Sequence, residues 1–179
     1  MAVLRAVRAL ALPDWAVGAG FVRNAVWDHL HGFAASRADI PKTAAGRNGP
    51  PDDVDVLFFD PSDCAREREG ALERRLADLM PDVPWSVRNQ ARMHLRNGDA
   101  PYADTEDAIR CWLESATCVA VRLESDDGLT VIAPYGLTDL LALRSRPTPS
   151  GRAHPADYRA RMRQKDWPAR WPRVRVEDL

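Results

Sequence analysis

The feature that most constrains this chain is a pair of short segments: Gly18-Ala19-Gly20-Phe21-Val22-Arg23-Asn24 and, further on, Asp53-Val54-Asp55-Val56. A glycine turn that opens a helix leaves backbone N–H groups unpaired at the positive end of the helix dipole, where phosphate oxygens can be held. Two acids spaced by two on a strand aim both carboxylates the same way, so they can share Mg²⁺. Such a chain needs a strand, a turn, a helix, a loop and a second strand in that order.

The surrounding residues supply that order. Val3, Leu4, Val7, Leu10 and Leu12 have helical spacing, and Pro13 stops the helix. Trp15-Ala16-Val17 reads as a short strand broken by Gly18 and Gly20. Phe21 to Leu30 follows as a helix with Val22, Val26, Leu30 and Phe33 on one stripe. Pro41 to Asp52, rich in proline and glycine, reads as a loop. Val54 to Phe59 is an apolar run of strand length, consistent with a central strand buried on both faces. Asp60-Pro61-Ser62-Asp63 has the pattern of a helix cap, with Leu72, Leu76, Leu79 and Met80 inside the helix and Pro81 and Pro84 ending it.

Trp85 to Met93 alternates as a half-buried strand does. Asp104 to Leu113 is a short helix capped by Asp104, and Asp126-Asp127-Gly128 joins Cys118–Leu123 to Leu129–Ala133 in a hairpin. Gly136 to Leu143 is one more short helix. Residues 147–151 read as a linker to a tail with a helix from Pro155 to Lys165. Interleaved strands and helices predict an α/β (α+β) fold, a mixed sheet flanked by helices.

At 179 residues and 45% apolar content, the chain can bury one substantial core. The expected organisation is a domain over 1–146 and a basic extension over 147–179 packed on it. No run approaches the roughly 18 apolar residues of a membrane span. Cys64, Cys111 and Cys118 match no zinc or redox spacing, which fits a reduced, cytoplasmic compartment. Residues 144–179 hold ten Arg or Lys against four Asp or Glu, so the tail carries +6 within a chain of net charge −1. A polyanion such as a nucleic acid fits that charge. So does an exposed helix whose Arg159, Arg161, Arg163 and Lys165 pair with the acidic body.

The glycine segment resembles the Gly-Gly-x-Val-Arg-Asp turn of the nucleotidyltransferase superfamily related to DNA polymerase beta. Asp53-Val54-Asp55-Val56 is similar to that group's paired-acid strand, particularly in the head of poly(A) polymerase and CCA-adding enzymes. Trp85 to His94, Thr105-Glu106-Asp107-Ala108 and Ile132 to Leu137 resemble a small bacterial family usually called nucleotidyltransferase-like, and the similarity covers nearly the whole chain.

The resemblance implies the polymerase beta-like fold and two-metal nucleotidyl transfer. Asp53 and Asp55 would hold up to two Mg²⁺ ions as catalytic and metal-binding residues. Gly18, Gly20 and Phe21 would cradle the β and γ phosphates of a nucleoside triphosphate, with Arg23 as a cationic clamp. The acceptor, whether small molecule, RNA or protein, is not identified. A membrane partner is not expected.

The sequence departs from that pattern in one respect. Active relatives take a third carboxylate from an adjacent strand, whereas the candidate strand Val87-Arg88-Asn89-Gln90-Ala91 carries none. Asn89 lies on its apolar side, so its amide needs partners: the Asp pair, as a nucleotide-site residue, or a loop backbone. Glu114 is a carboxylate from elsewhere, or a capping residue. The missing acid also fits a noncatalytic nucleotide- or RNA-binding module of the same fold. His29, His31, His94 and His154 form no metal motif, and Trp27, Trp112, Trp167 and Trp171 read as packing residues.

Overall fold

Val54, Val56 and Phe58 are fully buried on one face of a five-residue strand, while the alternation of the strand turns Asp55 and Leu57 to the other. The sheet around that strand was obtained as a computed structural model, which describes residues 1–33 and 53–179; the loop expected over residues 41–52 lies outside them. In chain order the elements are α1 (Ala2–Arg8), β1 (Ala16–Gly18), α2 (Gly20–Leu30), β2 (Val54–Phe58), α3 (Arg66–Leu79), β3 (Trp85–Asn89), α4 (Gln90–Asn97) and α5 (Thr105–Arg110). They continue with β4 (Ala120–Leu123), β5 (Leu129–Ile132), α6 (Thr138–Leu141), β6 (Arg144–Ser145), α7 (Pro149–Ala153), α8 (Pro155–Lys165), α9 (Trp167–Arg170) and β7 (Arg175–Val176). The five-stranded sheet has the order β3-β2-β1-β4-β5. β2 and β3 run parallel and the other neighbours antiparallel, so the sheet is mixed, as expected.

One face of the sheet carries the main core. Val3, Leu4 and Val7 of α1 and Leu72 and Leu76 of α3 pack against Val17, Val54, Val56, Phe58 and Val87. The opposite face carries a smaller cluster, Ala16, Leu57, Ile109, Cys118, Ala120 and Ile132 with Trp112 against it, and Asp55 stands beside that cluster. A second core gathers Trp27 of α2 with Leu140, Leu143, Trp167 and Trp171. Trp27 meets Trp167 and Trp171 edge to face at 5.4 and 5.2 Å between ring centroids. Each such pair adds about 0.5–1.5 kcal/mol beyond area burial. Trp171 Nε1 also donates to Asp28 Oδ1 at 2.7 Å, which ties the C-terminal segment to α2.

β6 and β7 form a separate two-stranded parallel ladder, Arg144 opposite Arg175 and Ser145 opposite Val176. It clasps the beginning and end of the segment that holds α7, α8 and α9. Several basic residues of this segment pair with acids of the body: Arg146 with Asp139 at 2.8 Å, Arg161 with Glu114 at 2.7 Å and Arg170 with Asp28 at 3.6 Å. Among the described residues, no helix is long and apolar enough to cross a membrane.

Three local expectations need correction. The third helix begins at Arg66, five residues after Pro61. Asp60 instead accepts from the Ser62 backbone N–H at 3.0 Å and pairs with Arg68 at 2.7 Å, forming a turn held by its own side chain. The strand expected over Trp85–Met93 ends at Asn89, where the chain turns into α4. The linker expected over 147–151 is largely helical: Thr148 caps α7 by accepting from Gly151 N–H at 3.1 Å.

Gly151 is a packing requirement. A Cβ there would stand 2.2 Å from the Leu113 carbonyl oxygen, which already accepts from Thr148 N–H at 3.1 Å. Backbone cannot yield as a side chain can. Gly151→Ala is therefore expected to cost about 2–3 kcal/mol in urea unfolding, and a loss below half a kcal/mol would contradict this packing.

Candidate functional site

Antiparallel pairing sets Gly18 of β1 opposite Asp55 of β2, and parallel pairing sets Ser86 of β3 on the other side of Asp55. Residues directly opposite in a ladder face the same way. The glycine turn and the second acid are thus neighbours on one face of the sheet, as the sequence order demanded. This face floors a cleft of about 860 Å³, within the range of small-molecule sites. Asp53, Asp55 and Ala19 line it, together with Arg161 and Lys165 of α8.

Asp53 is exposed at the end of β2, and Asp55 is half-buried. Burial first, then the neighbouring Asp53 carboxylate, push the Asp55 carboxyl up to about 6, while Ser86, Lys165 and Arg161 pull it back. Two like charges in a partly dry corner favour any cation that can sit between them. Among the described residues, no group of three or more His, Cys, Asp or Glu is arranged to hold a metal. A pair of carboxylates suits Mg²⁺, which usually takes one or two protein carboxylates and completes its shell with water and substrate phosphates. The donor set therefore fits an ion shared with a phosphate ligand.

The turn between β1 and α2 is built from special backbone. Ala19 has φ 49° and ψ −117°, a conformation that favours glycine, and donates its N–H to Val119 O at 2.9 Å. Its N–H is thus spent, and the first turn of α2, from Gly20 on, holds the N–H groups without intrahelical acceptors. Gly18 has its own steric reason. A Cβ there would come within 3.0 Å of Leu57 and 3.3 Å of Trp112, so glycine lets Trp112 lie close against the sheet. At Gly20 an added Cβ meets only Arg23 and Asn24 side-chain nitrogens at 3.6 Å, an ordinary contact. Phe21 is half-buried against the main core.

Of the glycine turn only Ala19 lines the cleft; Gly18, Gly20 and Phe21 are not part of the lining, and two further expected site residues, Arg23 and Asn89, lie elsewhere. Arg23 is 3% exposed, with its guanidinium 4.7 Å from the Trp167 ring centroid and donating to Asn24 Oδ1 at 2.9 Å. It belongs to the aromatic cluster behind α2, and the cleft lining does not include it. Asn89 takes the loop-backbone alternative. Its Nδ2 donates to Asp60 O at 2.7 Å and Asp63 O at 2.9 Å, while Oδ1 accepts from the Asp60 and Ala91 N–H groups. The amide caps α4 and pins the loop after β2, which leaves it no spare donor for a nucleotide.

The strand beside β2 contributes Ser86 and Arg88 to the cleft, with no acid among them. Glu114 also borders the cleft, but its side chain is fully buried and accepts from Arg161 Nε at 2.7 and 2.9 Å and from the Thr117 hydroxyl at 2.8 Å. Ser86, Arg161 and Lys165 line the cleft, and sequence reasoning did not select them for a site. For α8 the signal was present: His154, Asp157, Arg161 and Lys165, spaced by three or four, share one helical face, and all four line the cleft.

Comparison with known proteins agrees with this architecture. A family model described as "Nucleotidyltransferase" matches residues 5–176. The fold is similar to a solved NMR structure described as revealing a CCA-adding enzyme head domain, with 31% sequence identity and a TM-score of 0.82. That match covers 100% of this chain and 89% of the other. No curated protein matches the sequence.

Proposed function

Since the chain belongs to the nucleotidyltransferase family, we propose that it binds a nucleoside triphosphate with Mg²⁺ in this cleft and transfers the nucleotidyl group to an acceptor hydroxyl. The observation that carries this reading is the pair Asp53 and Asp55 lining the cleft at the start of β2, with Gly18 directly opposite Asp55. In the reaction, the acceptor hydroxyl releases its proton to solvent, its oxygen forms a bond to the α-phosphorus, the bond from that phosphorus to the α,β-bridging oxygen breaks, and pyrophosphate leaves. Bound Mg²⁺ supplies charge neutralisation and a more acidic acceptor hydroxyl. Asp53 and Asp55 would hold the ion, and Ser86 supports the Asp55 side chain from the neighbouring strand. The N-terminal turn of α2, which follows Ala19 at the cleft, would offer its unpaired N–H groups to a phosphate.

A second reading, a noncatalytic binding module, is favoured by the Ser86 and Arg88 side chains that stand where an adjacent-strand acid would be sought. The test is a titration of the whole chain with each of the four ribonucleoside triphosphates, with and without Mg²⁺, beside an assay for label transfer from α-labelled nucleotide. Mg-dependent binding with transfer supports the enzyme, and binding without transfer over a broad acceptor panel supports the module. No binding of any triphosphate overturns both.

The turn gives a separate prediction. Gly20→Val is expected to weaken nucleotide binding at least tenfold, because a branched side chain would crowd the backbone where phosphate approaches. Thermal unfolding of the same sample should change little, since the space beside Gly20 is open enough for a Cβ. Unchanged affinity in a folded Gly20→Val protein would remove the turn from the site.

A further inference from the structure

We propose that Lys165 and the outer nitrogens of Arg161 bind the polyphosphate chain of the nucleotide, so that α8 is the phosphate-holding wall of the cleft. This rests on the reading of the cleft as a nucleotide site. The two residues are four apart on α8, hence on one face of the helix, and both line the cleft that Asp53 and Asp55 border.

Arg161 is fixed from behind. Its Nε–H is directed at both carboxylate oxygens of the fully buried Glu114, and among the described residues none accepts from its two outer nitrogens. The guanidinium is thus held in position with its outer donors uncommitted, the geometry in which arginine grips a planar or tetrahedral oxyanion. Lys165 is exposed and has no ion-pair partner among the described residues. It acts electrostatically on Asp55 without forming a salt bridge to it. Two acids and two cations thus line one cleft, the cations close enough to act on Asp55. A polyphosphate carrying a divalent cation would match such a lining, the carboxylates holding the cation and the ammonium and guanidinium holding phosphate oxygens.

The other charges on α8 sharpen the assignment. Arg159 pairs with Asp178 at 3.4 Å, and Arg163 is not part of the cleft lining. Asp157 and His154 occupy the same face as Arg161 but toward the start of the helix, so positive charge concentrates at its C-terminal half.

The probe is magnesium tripolyphosphate, which carries the phosphates without a base or sugar, titrated calorimetrically into the whole chain. Lys165→Ala is expected to weaken binding on the order of tenfold, the worth of one charge-assisted hydrogen bond, and Lys165→Glu on the order of a hundredfold. Lys165→Arg should retain most of the affinity, and Arg163→Ala should bind as wild type does. The loss at Lys165 should be large for tripolyphosphate, smaller for pyrophosphate and smallest for a nucleoside monophosphate. Equal binding by wild type, Lys165→Ala and Lys165→Glu overturns the inference, as does a wild type that does not bind tripolyphosphate. Loss of binding in Asp55→Asn but not in Lys165→Ala sinks this inference and leaves the acid site standing. Loss in Lys165→Ala but not in Asp55→Asn supports the cationic wall and removes the acid site.

Discussion

Asp55→Asn is expected to lower nucleotidyl transfer by on the order of 10³-fold or more while leaving the protein folded. The amide keeps the shape of the carboxylate and loses the charge that holds a cation beside the triphosphate. Asp53→Asn should act in the same direction, because the two side chains share one face of β2. Binding of nucleotide without metal should be less affected, since the turn and α8 remain. Stability should move the opposite way. In the metal-free chain the Asp55 carboxylate is a partly buried charge beside another of the same sign, so its removal is expected to raise stability by about 0.5–2 kcal/mol, a site residue that works at the expense of the fold. Label transfer and urea unfolding on the same preparations check both signs. Undiminished metal-dependent transfer in both variants would reject the mechanism.

Arg161→Met should be among the most destabilising surface-reaching substitutions, with a loss of about 3–5 kcal/mol. Glu114 has no exposed surface, and its charge is balanced by Arg161, with further support from the Thr117 hydroxyl. Removing the arginine leaves an uncompensated charge beneath the cleft. Glu114→Gln in the same chain should recover much of the loss, because a neutral amide can keep the Thr117 bond without requiring a cation. A double-mutant cycle in urea separates this coupling from lost packing of the arginine stem. Additive single-variant losses would show that the pair does not anchor α8.

Much of the site's floor was legible because it depends on local pattern. Two acids at spacing two, with Val54, Val56 and Phe58 between and after them, can point only one way once the valines enter a core. Asp104 was legible as a cap for the same reason, and it accepts from Asp107 N–H at 2.7 Å. The boundary at Asn89 was not, because the residues from Trp85 to Met93 satisfy an alternating pattern whether or not the strand continues. The competing signal was Asn89 as a helix cap, eight helical residues and Gly98, which ends α4 with φ +74°. Alternation over nine residues outweighed it.

The cationic wall was hidden for another reason. Glu114 and Arg161 meet across 47 residues, and Trp27 meets Trp171 through a core assembled from both ends of the chain. No local period encodes such contacts. Charge counting located the basic segment but could not tell its cleft side, Arg161 and Lys165, from its outer side, Arg159, which pairs with Asp178.

The two-residue ladder of β6 and β7 has a kinetic consequence. It fastens the segment carrying α7, α8 and α9 at both of its ends, and Trp167 and Trp171 fasten it again in the middle against Trp27. A wall tied at three points does not swing on a single hinge, so the position of α8 is a property of the folded chain before any ligand arrives. Association then behaves as it does for preformed sites: encounter and orientation set its pace, while differences among ligands are expressed mainly in how long each one stays.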